Sequence, residues 1–125
     1  MKAVIIFFVV ALVYANKQGL VQLNKSNHEL VLKQNKNVIV KFFSPYCPHC
    51  VRFSPIYSEF AVKMQSEENL VVAELNCVDF RDLCGFYKIR GYPTVNFYHN
   101  GEFAERFGQQ RTVDNLVEFS KRNMK

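Results

Sequence analysis

Nothing in these 125 residues repeats, and no low-complexity tract or Gly/Pro/Ser-rich linker divides them. The chain therefore reads as one domain. Lys and Arg outnumber Asp and Glu by 16 to 11, yet the basic residues are scattered and form no run of five or more. They read as a solvated surface, which argues against a nucleic-acid partner. Cysteine is scarce: four residues fall short of the about six that small disulfide-stapled secreted domains commonly carry. No apolar run reaches the roughly 20 residues that a membrane-spanning helix needs. The longest, Ala3 to Val13, follows Lys2 and precedes Val13-Tyr14-Ala15, with residues of small or modest size at a cleavage site. Residues 1–15 are thus expected to be a secretory signal peptide, leaving a mature domain over 16–125 with no membrane attachment. An uncleaved anchor helix is the competing reading.

What is present is enough for a core. Hydrophobic residues make up 49% of the chain, and 12 of its residues are Phe, which excludes a disordered composition. Leu20–Leu23 is a short strand candidate. Ser26-Asn27-His28-Glu29 has the capping-box form and predicts a helix to about Lys33 with Ser26 as cap. Val38–Phe43 is apolar almost throughout, as in a central strand buried on both faces. Val51–Met64 carries apolar residues at helical spacing, with Pro55 inside it. Leu70–Leu75 predicts a strand and Asp79–Tyr87 a short helix. Thr94–His99 and Glu102–Phe107 flank Asn100-Gly101, the strongest short hairpin signal. A helix from Thr112 through Phe119 closes the chain. This order predicts an α/β fold, a mixed sheet with helices on both faces.

Cys47-Pro48-His49-Cys50 carries the chemistry. If a helix begins at the first cysteine, positions i and i+3 share a face and the two sulfurs can meet. The first thiol then sits at a helix N-terminus, where free N–H groups and the positive end of the dipole favour a thiolate. A thiolate is the species that attacks disulfides. Pro48 suits the first helical position because its missing N–H is not needed there.

In sequence, Val40-Lys41-Phe42-Phe43-Ser44-Pro45-Tyr46-Cys47-Pro48-His49-Cys50, then Pro55, Gly91-Tyr92-Pro93-Thr94 and Phe97-Tyr98-His99-Asn100-Gly101 resemble the thioredoxin-fold domains of the protein disulfide isomerase family. The resemblance runs from about Leu20 to Asn123. It implies a thioredoxin fold and a thiol–disulfide oxidoreductase that oxidises or rearranges disulfides in client proteins of the secretory pathway. It also implies a cis peptide at Pro93 and a second disulfide between Cys77 and Cys84, with buried free thiols as the alternative. The departures are specific. Tyr46 stands where the family has Trp, Lys41 where it has a buried acid, and Val51 where it has Lys. The chain ends Arg122-Asn123-Met124-Lys125 without a Lys-Asp-Glu-Leu type retrieval signal, so both the endoplasmic reticulum lumen and secretion fit.

On this basis Cys47 is the expected nucleophile and Cys50 the shielded, resolving thiol. His49 is expected to stabilise the Cys47 thiolate as a cation or hydrogen-bond donor. Tyr46, Tyr92 and Pro93 are expected to contact substrate, with the loop backbone pairing an extended client. The resemblance implies that Arg111 assists deprotonation of Cys50. Lys41, on the central strand near Cys50, is read either as a neutral base or as a charge that stabilises the Cys50 thiolate, with snorkelling to solvent as the bland alternative. Asn24-Lys25-Ser26 is an N-glycosylation sequon at Asn24. A zinc site built from all four cysteines competes, but an oxidising compartment disfavours it, and no metal or cofactor is expected. The expected partners are cysteine-containing or unfolded client proteins and an unidentified redox partner, met by a monomer. A binding or chaperone-like module with the same fold and little turnover is the alternative function.

Overall fold

Valine, isoleucine and phenylalanine crowd the segment that became the centre of the sheet. In the computed structural model, which describes residues 19–125, β2 (Asn37–Phe43) is buried at every position but the last. The signal-peptide reading of residues 1–15 lies outside the described residues. Around β2 the strands run β1 (Leu20–Gln22), β3 (Leu70–Asn76), β2, β4 (Thr94–His99) and β5 (Glu102–Arg106). β1–β3 and β3–β2 pair in parallel; β2–β4 and β4–β5 pair antiparallel. This is a thioredoxin fold.

The two-residue period of the strands splits the core in two. On one face Ile39, Val72, Val95 and Phe97 pack against Phe53, Tyr57 and Phe60 of α2 (Pro48–Lys63) and Leu116 and Phe119 of α4 (Val113–Asn123). On the other face Val38, Val40, Phe42 and Tyr98 meet Leu32 of α1 (His28–Gln34) and Leu83 of α3 (Arg81–Phe86). Burying each such side chain contributes about 1.5–3 kcal/mol, which fixes both helix layers to the sheet. A single 3₁₀ turn, Met64–Ser66, leads from α2 towards β3.

The local signals resolve as follows. Asn100 and Gly101 both take positive φ, 52° and 84°, the primed turn that suits a hairpin's twist. Thr112 Oγ1 accepts the Asn115 N–H at 3.1 Å and caps α4. Ser26 does not cap α1. The helix starts one residue later, with Asn27 as N-cap and no side-chain cap bond. The side chain that organises this turn is Asn24, whose Oδ1 accepts the N–H groups of Ser26 and Asn27 at 2.8 and 3.0 Å. The Asn24 turn thus takes the Ser26 N–H that the Glu29 side chain would have accepted in a capping box.

Candidate active site

β2 ends beside the redox motif, and the turn after it aims the first cysteine. Ser44 Oγ accepts the Tyr46 N–H at 3.2 Å, and the Ser44 carbonyl accepts the Cys47 N–H at 3.3 Å. Cys47 is the N-cap of α2 in extended backbone, and its carbonyl takes the first helical bond, from Val51 N at 3.0 Å. Pro48 fills the first helical position. Both thiols are free; Cys47 is half-buried and Cys50 only 2% exposed. As a thiol Cys47 donates to the Tyr92 carbonyl at 3.7 Å, so the loop before Pro93 lies against the sulfur. The Tyr92–Pro93 peptide is cis.

The two thiols titrate in opposite directions. The backbone N–H of Cys50 holds the Cys47 thiol below its ordinary 9.0; the Cys50 side chain, the His49 N–H and the Arg111 guanidinium add to this, while partial burial opposes it. No amide closes on the thiol itself at hydrogen-bond length. The amides favour the ionised form, which turns the sulfur from donor to acceptor. Burial pushes Cys50 above 9.0, helped by its neighbour Cys47; the Ser44 backbone and the Lys41 charge pull the other way.

The supporting residues fall into place unevenly. The His49 ring is turned to Arg52, whose Nη2 lies 3.0 Å from His49 Nδ1. Arginine has no acceptor, so Nδ1 accepts and carries no proton in this arrangement. The His49 backbone N–H is among the groups that lower the Cys47 thiol, while its ring faces Arg52. Arg111 rests over the Phe53 ring at 5.8 Å. Its charge is among the influences that lower the Cys47 thiol. Tyr46 is 81% exposed and Tyr92 is exposed as well, so neither packs into the core.

Lys41 is the largest surprise. It does not snorkel: it is 2% exposed, with its ammonium 4.7 Å from the Phe43 ring centre and 5.1 Å from that of Tyr57. Nor is it a lone amine. The β2–β3 register sets Lys41 beside Glu74, and Lys41 Nζ meets Glu74 Oε1 at 2.9 Å. Gln22 Nε2 holds the other carboxylate oxygen at 2.6 Å. A cavity of about 370 Å³ joins this pair to Cys50, lined also by Phe43, Ser44 and Pro55. Sequence reasoning missed Glu74. The signal was there: one acid inside the apolar strand Leu70–Leu75, next to a strand with one base.

Cys77 and Cys84 form a disulfide, with Cα atoms 5.7 Å apart. It links the end of β3 to α3 within the second core, and both residues are 2% exposed. Asn24 is half-buried in its turn before α1. Among the described residues there is no group of three or more His, Cys, Asp or Glu placed to hold a metal ion, and no helix is long and apolar enough to cross a membrane.

The thioredoxin family model matches residues 19–122. The chain belongs to the thioredoxin family. Among family members it is 39% identical over 93 residues to a probable protein disulfide-isomerase A6 of Medicago sativa, covering 74% of this chain and 26% of that one. A protein disulfide-isomerase of Hordeum vulgare is 34% identical over 96 residues, covering 77% and 18%. The first two thioredoxin domains of Saccharomyces cerevisiae Eps1p superpose with a TM-score of 0.77 at 30% identity, over 81% of this chain and 39% of that one. The J-Trx1 fragment of ERdj5 gives 0.78 at 26% identity, over 87% and 53%. This thioredoxin-family chain thus spans about a quarter or less of the length of these two curated relatives.

Proposed function

We propose that the chain is a thiol–disulfide oxidoreductase acting on cysteine-containing client polypeptides in the secretory pathway. The observation that carries this reading is the split between two neighbouring thiols: an accessible Cys47 favoured as thiolate and a buried Cys50 favoured as thiol. Nucleophile and resolving group are thereby distinguished by environment. The family membership, the relatives named protein disulfide-isomerase and the buried Cys77–Cys84 disulfide support the reading. So does the apolar leader read in residues 1–15.

In the oxidising direction a client thiolate attacks the Cys47 sulfur of the Cys47–Cys50 disulfide. The Cys47–Cys50 bond breaks, Cys50 leaves as thiolate, and a client–Cys47 disulfide forms. A second client thiolate then attacks the client sulfur, and Cys47 leaves as thiolate. The client gains one disulfide and the protein is left as the dithiol; a separate redox partner must reoxidise it. In the reducing direction the Cys47 thiolate attacks a client disulfide, and Cys50 must lose its proton to resolve the mixed disulfide.

That proton needs a route, because burial holds Cys50 protonated. Glu74 is the acceptor in this reading, reached across the shared cavity by a water, for which the space is ample. Lys41 stays close, paired with Glu74, as the positive charge that favours the Cys50 thiolate. Tyr46 and Tyr92 flank Cys47 as contact surface for the client, and the Tyr92 backbone offers it hydrogen bonds.

The test is to trap the intermediate. Cys50→Ala, incubated with a denatured disulfide-bonded client, accumulates a mixed disulfide through Cys47 that is visible on a non-reducing gel. No trapped complex with Cys50→Ala, or an equal amount through Cys50 in Cys47→Ala, would overturn the assignment.

A further inference from the structure

A wide cleft opens beside the Tyr92–Pro93 loop, distinct from the cavity that joins Cys50 to Glu74. It holds about 810 Å³ on the open side of the β4–β5 hairpin, next to the end of α3. Its shape follows from the chain. Cys84 and Gly85 carbonyls accept the N–H groups of Ile89 and Lys88, an end to α3 with Lys88 at φ 61°. The chain then runs as Ile89-Arg90-Gly91 to the Tyr92–Pro93 loop, and α3 is too short to cover β5.

Two properties of the cleft point to a ligand. First, its walls are aromatic and open: Phe86 is 66% exposed and Phe103 60%, with Tyr87 and Tyr98 behind them. Second, it is cationic: Lys88, Arg90 and Arg106 line it and no acidic residue does. The strand alternation explains this, since Glu105 of β5 points to the other face and pairs with Arg122 of α4 at 2.9 Å.

The cleft also runs into the reaction site. Tyr92 and Pro93 line its near end, and the Tyr92 carbonyl is the atom that contacts Cys47 Sγ. Resting on the oxidoreductase reading, we infer that the cleft binds the acidic, apolar stretch of an extended client chain beside its reacting cysteine. A large apolar side chain lies against Phe103 and Tyr98, and a carboxylate meets Arg90 and Arg106. The cleft thus selects clients by the sequence around the cysteine.

The test uses the full chain and two fluorescein-labelled, cysteine-free peptides with a central Phe, identical except that two Glu of one are Lys in the other. Fluorescence anisotropy should show the acidic peptide binding at least tenfold more tightly. Arg90→Glu with Arg106→Glu should reverse the order. With a dithiol added to each peptide, the wild-type difference should fall on KM and leave kcat alike. Reduction of the Cys47–Cys50 disulfide by dithiothreitol should be unchanged in the double variant. Equal binding of the two peptides, or an order that survives the charge reversal, overturns the inference. A chain inert to dithiothreitol sinks the oxidoreductase reading instead, and the anisotropy measurement still decides the cleft.

Discussion

Two cysteine pairs share this chain and are put to opposite uses. Cys47 and Cys50 are free, three positions apart at the start of a 16-residue helix, with one sulfur reachable from outside. Cys77 and Cys84 are joined, seven apart, and both lie within the apolar cluster under α1 and α3. Both pairs are close enough for a disulfide. What separates them is the environment of the individual sulfur. At the first pair a helix N-terminus and Arg111 favour charge on one thiol, while burial denies it to the other. At the second, both sulfurs share one dry setting, and nothing distinguishes an attacking atom from a resolving one. Reactivity here is a property of asymmetry more than of spacing.

The comparison breaks most sharply by removing its two halves in turn. Cys47→Ser should abolish exchange, by roughly 10³-fold or more in turnover of a dithiol peptide, with the thermal midpoint little altered. Cys77→Ala with Cys84→Ala should do the reverse: activity per folded molecule is kept, while denaturant unfolding shows a loss of about 2–3 kcal/mol for so short a loop. Turnover lost in the second variant would mean that the buried pair also takes part.

Glu74→Gln tests how Cys50 differs from its partner. It keeps the side-chain shape and removes the proton acceptor, so resolution of a preformed mixed disulfide should slow by about 10–100-fold. Alkylation of Cys47 should stay within about twofold of wild type. Equal slowing of both steps would point to a structural fault, since loss of one member of a buried ion pair destabilises by about 3–5 kcal/mol.

The two sulfurs of the active pair should also separate with pH. Cys47 is depressed below 9.0, so its thiolate persists as pH falls beneath that value; Cys50 is raised, so it stays protonated as pH climbs past it. Iodoacetamide should label Cys47 at least about tenfold faster near neutral pH, with the gap narrowing well above pH 9. The smallest effect belongs to His49→Ala. Its ring faces Arg52 and its backbone N–H survives the change, so the pH midpoint of Cys47 labelling should hardly move. A large upward shift would restore the imidazole to the mechanism.

How much of this was legible in the sequence depended on how local each signal was. The Asn100-Gly101 turn, the β2 run and the Cys47–Cys50 spacing are written in adjacent residues, and the fold drawn from them stands. Lys41 could be placed beside Cys50 from the strand alone. Glu74 could not, because its role exists only through the parallel β2–β3 register across 33 residues of chain. Ser26 is not the cap because the Asn24 turn holds the Ser26 and Asn27 N–H groups and the helix begins only after Asn27. The cleft was invisible for a related reason. It is made by what α3 leaves uncovered, and no run of residues encodes an uncovered face.

The Lys41–Glu74 pair has a consequence for how such a chain can change over generations. Each residue is held by the other in a nearly dry place. Altering either one alone strands a charge there, a step that costs a large part of a small domain's total stability. Exchanging both together strands nothing. The two positions are therefore bound as a single heritable unit: descendants can carry base and acid, the two swapped, or neither, but the paths between those states run through less stable molecules.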